Sequence, residues 1–309
     1  MAADANAMLY SGLGDIRNAA LLHQEIQLLL ADRADLMDDP TIVYLGNKAR
    51  QGTTVFEIGQ VGLDGYDRMA AVAENADAGV TALTDASPNV TIARQSLRRQ
   101  MSYLAQLTDS VGLDVARLAL DYVGAARMRL TEMIAGVTDD FTATVGTSGV
   151  DMSVDDYFDG HYTLTQSSVP GPFLCDLYPV QVTDLQNSIR AEGGALQFRD
   201  DAQEMLDIKG PGYQGSFLSV PIFASSLVPT ANAGADSAGG MFGRGAVGYA
   251  DFEAIGLVDF GGRVFPAGTK IFADQANVGA GGYTDSTGHY FCGVTLMEDG
   301  RGVSMITDR

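Results

Sequence analysis

One stretch constrains the fold more than any other: GLDVARLALDYVGAARMRLTEMIAG, residues 112–136. Val115, Leu118, Ala119, Tyr122, Ala126, Leu130, Met133 and Ile134 recur at helical spacing and make one apolar stripe. Asp114 can cap the start and Gly136 can terminate the end. Arg117 and Asp121 form an i, i+4 pair and Arg129 and Glu132 an i, i+3 pair on the opposite side. The pattern predicts about 22 helical residues spanning roughly 33 Å. That is long for a compact domain and suits a spine across an elongated one.

The segments around this helix differ in texture. Residues 15–37 read as an amphipathic helix with Asp15 as N-cap, stopped by Asp38-Asp39-Pro40. Residues 41–102 are β-biased, with TIVYL, TTVFEIGQV and NVTIARQSL separated by glycine-rich and polar pieces. Between Gly59 and Thr81 large apolar residues are scarce, so this region could not fill a core of its own. It reads as an extended hairpin projecting from the body. After the long helix, VDDYFDGHYTLTQS predicts a helix opening near Ser153, and VPGP at 169–172 breaks the chain. FLCDLYPV reads as a buried strand and VTDLQNSIRAEGG as a helix opened at Thr183 and closed by Gly193-Gly194. SFLSVPIFASSLVP is extended, and TANAGADSAGG reads as a flexible loop by composition. GVTLMEDGRGVSMIT reads as a closing hairpin turning at Asp299-Gly300. There is no regular βαβ alternation and no repeat, so the class expected is α+β with intertwined subdomains.

Composition narrows the function. The chain has 309 residues, 46% of them hydrophobic, enough for a sizeable core. It carries 39 acidic and 19 basic side chains, a formal charge of −20. Nucleic-acid binding needs clustered Lys and Arg, so this surface does not read as one that grips phosphate. Lysine is nearly absent (Lys48, Lys209 and Lys270); arginine, the better bidentate partner at interfaces, carries the positive charge. Cys175 and Cys292 form no C-x-x-C and read as small buried hydrophobes. The start MAADANAM has no signal-peptide character and no apolar run approaches 18 residues, so the expectation is neither secretion nor a membrane span.

The most specific-looking motif is GRGAVG, Gly243 to Gly248, a G-x-G-x-x-G match. A dinucleotide loop must follow a strand and open a helix whose amides meet the pyrophosphate. Here a loop is expected before it and no long helix after it, so the glycines read as sites of close backbone approach or positive φ. The 37 glycines of the chain make such chance matches common. His23, His161 and His289 stand apart; Asp156, Asp159 and His161 read as a solvated helix edge, and Asp139-Asp140 and Asp155-Asp156 as helix-margin acids. One basic cluster stands out: Arg94, Arg98 and Arg99 in IARQSLRRQM, with Arg94 and Arg98 at i, i+4 spacing if helical. It reads either as a solvated turn or as an inter-subunit salt-bridge site.

The order of these elements resembles the major capsid proteins of tailed bacteriophages and, more distantly, encapsulin shells. RQGTTVFEIG through NVTIARQSLRR looks like the extended β-hairpin E-loop and VGLDVARLALDYVGAARMRLTEMIAG like the spine helix. SVDDYFDGHYTLTQSSVPGPFLCDLYPVQVTDLQNSI is similar to the entry into the axial domain, MFGRGAVGYAD to the return segment, and GVTLMEDGRGVSMIT to the last hairpin. The resemblance implies an N-terminal arm at 1–40 and an E-loop at 41–102. It also implies a peripheral domain at 103–170 and 245–309, with the spine helix at about 113–135, and an axial domain at 171–244. It implies a non-enzymatic structural protein, without cofactor or metal, that self-assembles into pentamers and hexamers of an icosahedral head around double-stranded DNA. Assembly would occur in the host cytoplasm, with any scaffolding, portal or decoration protein separate. Arg94, Arg98, Arg99 and Arg244 are then candidate inter-subunit contacts. The alternatives are an encapsulin-like compartment and, from another class, a dinucleotide-dependent enzyme using Gly243 to Gly248.

Overall fold

A computed structural model describes residues 39–48, 53–58, 60–62, 84–86, 88–102, 114–191, 212–260, 263–278 and 283–309. The N-terminal helix expected at 15–37, most of the arm expected at 1–40, and the Gly193-Gly194 stop lie outside the described residues. Among the described residues no helix is long and apolar enough to cross a membrane.

The long helix forms as its pattern predicts. Helix α1 runs Asp114–Gly136. Leu118, Ala119, Tyr122, Val123, Ala126, Leu130 and Ile134 are buried along it. Asp121 is bound by Arg99 from a neighbouring strand, through Nε at 2.5 Å and Nη2 at 3.0 Å; the Arg117 side chain of the expected helical pair lies outside the described residues. The Arg129–Glu132 pair forms as spaced, at 2.7 Å.

Two sheets share this helix. Strands β1 (Val43–Asn47), β6 (Ala93–Ser102), β13 (Val247–Asp251), β16 (Ile271–Val278) and β17 (Tyr283–Leu296) make the first. β17 is its axis: β6 runs along one edge, and β16 and then β13 occupy the other. β1 adds in parallel to β13. Between β1 and β6, β2 (Val55–Glu57) pairs with β5 (Asn89–Thr91), and β3 (Gln60–Gly62) with β4 (Thr84–Ala86), as successive antiparallel rungs. The lower rung has an apolar anchor: Phe56, Val90 and Ile92 pack with Ala250 on the sheet face away from α1.

The second sheet has the order β7 (Thr144–Val145), β18 (Gly302–Asp308), β12 (Asp236–Gly243), β8 (Phe173–Leu177), β10 (Val220–Ala224), β9 (Tyr213–Phe217), with β11 (Thr230–Ala231) pairing the start of β12. Side chains alternate across it. Leu174, Tyr213, Phe223 and Phe242 face the α1 core, with Val137 and Phe141 beyond the helix end. Cys175, Leu177, Phe217, Ile222 and Met241 face a second core with α2 (Val154–Gln166) and α3 (Pro179–Ala191). α2 opens on Ser153 as expected. Its hydroxyl accepts from Asp156 N at 3.2 Å, and Asp156 Oδ2 accepts from Ser153 N at 2.9 Å, a reciprocal capping box. α3 begins at Pro179, four residues before the expected Thr183, because proline suits a first helical turn. Thr183 instead donates its hydroxyl to the Pro179 carbonyl at 3.0 Å.

Two expectations are overturned. The tract TANAGADSAGG is not a loop: from Asp236 it is central strand β12, buried throughout. Its glycines are there because neighbours need the space. A Cβ on Gly239 would lie 2.7 Å from Gln181 Oε1, and one on Gly240 would lie 2.8 Å from the Thr138 Cβ. Nor do the last two strands form a hairpin. β17 belongs to the first sheet and β18 to the second, so Met297 to Arg301 is a crossover between sheets.

Candidate subunit interface

Arg94, Arg98 and Arg99 lie on a strand, β6, so the helical spacing considered for Arg94 and Arg98 does not apply. Strand alternation sends them to two faces. Arg99 points to α1, where the Asp121 carboxylate is held below its usual pKa chiefly by the Arg99 hydrogen bond. Arg98 points to the other face and pairs with Asp285 of β17. Arg94 is exposed on that same face. Opposite Ser96, between the two, His289 Nδ1 lies within hydrogen-bond distance of the Ser96 hydroxyl, at 2.8 Å. On the helix side a groove of about 200 Å³ opens among Leu97, Tyr122, Ala125, Ala126, Gly288 and Tyr290. The strand therefore presents a polar, arginine-bearing face and an apolar groove on opposite sides.

Arg244 lies elsewhere, in GRGAVG. The structure makes this motif strand, turn, strand: Gly243 ends β12, Arg244 and Gly245 turn, and Val247 starts β13. A strand does precede the motif, contrary to expectation, but the following element is also a strand, so no helix N-terminus meets a phosphate there. Gly245 has φ +88°, and a Cβ on it would lie 2.8 Å from Arg301 Nη1. That guanidinium donates to the Arg244 carbonyl at 2.9 Å. The turn thus carries the chain from the second sheet to the first. It lies beside the return crossover, where Met297 N donates to Ala246 O at 2.7 Å. The Arg244 side chain is left exposed.

Among the described residues, His161 and the two cysteines are held by packing. His161 stacks edge-on against Phe173, 5.6 Å between ring centres. Cys175 and Cys292 are both fully buried and free, as read from the sequence. Burial pushes the Cys292 thiol up to about 12 and Cys175 well above its ordinary value. Both thiols are therefore expected to resist iodoacetamide in the native protein and to react fully in denaturant, read by mass spectrometry. Labelling of either cysteine at the native rate of a free thiol would contradict this packing.

Two surface features escaped the sequence reading. Phe158 and Tyr162 are exposed one turn apart on α2. Phe158 packs edge-on against Phe217, 5.8 Å between centres, beside the exposed Leu218 at the β9–β10 turn. Leu218 and Ser219 have φ 53° and 65°, a turn usually given to Asn-Gly, so neither composition nor alternation signals it. Only the i, i+4 aromatic spacing on the polar side of α2 was visible beforehand.

No family model matches the sequence, and no curated protein matches it. Solved structures do. The chain aligns with the encapsulin SrpI of Synechococcus elongatus PCC 7942 at TM-score 0.57 and 11% identity, over 91% of this chain and 88% of that one. It aligns with the capsid of Ralstonia phage GP4 at TM-score 0.56 and 13% identity, over 90% of each chain. It aligns with the capsid of cyanophage P-SCSP1u at TM-score 0.54 and 12% identity, over 90% of this chain and 89% of that one. Two sheets bridged by one long helix, matched almost end to end in both partners, give this chain the α+β shell fold shared by phage capsids and encapsulins.

Proposed function

We propose that this chain is a major capsid protein, a structural subunit that assembles with itself into the pentamers and hexamers of an icosahedral head enclosing double-stranded DNA. The observation that carries the reading is the shell fold extending over about nine-tenths of the chain and of its structural neighbours. In this reading residues 1–40 are the arm, 41–102 the E-loop, 103–170 and 245–309 the peripheral domain, and 171–244 the axial domain. The successive β2–β5 and β3–β4 pairings between β1 and β6 support an E-loop, since a lone two-stranded ladder gains order by lying on a neighbour. The charge of −20 suits a wall that encloses DNA without binding it, and a mapped inner surface more basic than the outer would contradict that role. The virion is then its place, and any scaffolding, portal or decoration protein would be a separate partner. Electron microscopy of the purified protein tests this: closed particles tens of nanometres wide are expected, and a small discrete oligomer would overturn it. The encapsulin-like reading is favoured by the SrpI alignment, and particles containing protein cargo instead of DNA would select it.

Arg94, Arg98, Arg99 and Arg244 are proposed to contact acidic surfaces of neighbouring subunits. Arg94 and Arg244 carry this most directly, because their guanidinium groups are exposed while Arg98 and Arg99 already hold Asp285 and Asp121. Arg94→Glu combined with Arg244→Glu is expected to leave the melting temperature nearly unchanged and to cut particle yield at least roughly tenfold, the effect of about 1.4 kcal/mol per contact. Unchanged particle yield would remove these residues from the interface.

A further inference from the structure

Asp176 is the one acidic residue in the apolar run FLCDL, and it lies in β8, an interior strand of the second sheet. The register sets Phe223 of β10 on one side of it and Gly240 of β12 on the other. Cys175 and Leu177 face the α2–α3 core, so Asp176 faces the other way, toward the end of α1. There Thr138 fills the space above Gly240 and closes the seam between sheet and helix. Asp176 is wholly buried, and neither carboxylate oxygen has a hydrogen-bond partner among the described residues. The Thr138 hydroxyl is committed to the Ala135 and Ala238 carbonyls, at 2.6 and 2.7 Å. Ser304, across Gly240 in the same row, has a hydroxyl that is equally unpartnered.

The titratable groups on the surrounding elements do not relieve it. β10 carries none, and β9 offers only Tyr213. On β12, Asp236 is engaged with Ser148, Asn232 and the Gly149 amide, and on β18 Asp308 ends the strand. Asp139 and Asp140 after α1 are exposed acids. Arg127, Arg129 and Glu132 lie on the last turns of α1, the latter two bonded together. Cys175 and Tyr157 lie on the opposite face. Burial alone acts on the Asp176 carboxyl and pushes it up to about 8.

We propose that Asp176 makes the seam between the second sheet and the end of the long helix responsive to alkaline pH. Uncharged, the carboxyl lets the seam close without water. Ionised with no cation bonded to it among the described residues, it draws water in and loosens this seam before the rest of the fold gives way. The inference concerns this chain's own fold and stands whether or not the shell reading does.

Hydrogen exchange of the full chain tests it, at about pH 6.5 and about pH 9.5 with intrinsic rates divided out. Peptides covering 137–140, 173–177 and 236–243 should lose roughly tenfold or more of their protection, the change expected over about one pH unit or more of approach to the folded midpoint, while the 283–296 peptide loses less. Asp176→Asn should abolish the difference. An equal loss in the variant, or a uniform loss across the chain, would overturn the proposal. A measurement on the wild type guards against a variant that does not fold. The infrared carbonyl band of a protonated buried acid should be present at the lower pH and vanish at the higher, and its absence at the lower pH would also overturn it.

Discussion

Asp176→Asn is expected to melt with the wild type near pH 4 and well above it at pH 8. The sign follows from the direction of the shift. The folded carboxyl titrates near 8, above the ordinary unfolded value of about 3.9, so the folded state holds its proton more tightly. The stability it allows is fully present below the unfolded value and is lost as pH rises toward the folded one. Across that window the loss is on the order of 5 kcal/mol, at about 1.4 kcal/mol per pH unit. Asparagine keeps the shape and cannot ionise, so the variant escapes this loss. At roughly 2 °C per kcal/mol for a chain of this size, the gap at pH 8 should approach 10 °C. Melting curves of both proteins from pH 4 to pH 9 measure it. A gap that is constant with pH, or of opposite sign, would show that Asp176 is paired in solution.

The second large effect falls on assembly and leaves the fold intact. Removing residues 59–87 and joining Ile58 to Pro88 through an Asn-Gly turn should abolish closed particles and leave soluble, folded subunits. The join is short because Ile58 N already donates to Pro88 O at 2.9 Å, and Asn-Gly supports a two-residue hairpin. The cut spares Phe56, Val90 and Ile92, whose packing on Ala250, Phe252 and Phe291 belongs to the first sheet. A cut from 53 to 93 would strip that packing and confuse misfolding with failed assembly. Circular dichroism and electron microscopy together separate the outcomes. Normal shells from the shortened chain would refute the E-loop assignment, whereas a melted chain would mean that the ladder supports the fold.

Much of the frame was legible because its signals are local. The α1 stripe, the Ser153 cap and the apolar run at Phe173 each declare an element within about ten residues. The interface candidates were less legible. Arg98 and Arg99 could be noticed as a basic cluster, but their partners Asp285 and Asp121 come from β17 and α1, which only the fold sets beside β6. Asp176 was passed over inside an apolar strand, although a single acid in such a run is itself the signal.

The sequence by itself determined the long helix, the capped second helix, the buried cysteines and the α+β order that resembles a shell protein. These follow from periodicity, capping chemistry and composition. Only the tertiary structure decided that SAGG is a central strand, that GRGAVG and MEDGR are two neighbouring crossovers, and that the final strands part company. A strand takes its stability from partners distant in the chain. Glycine reads as a loop in isolation, yet in β12 the missing side chains are what let Thr138 and Gln181 close over the sheet.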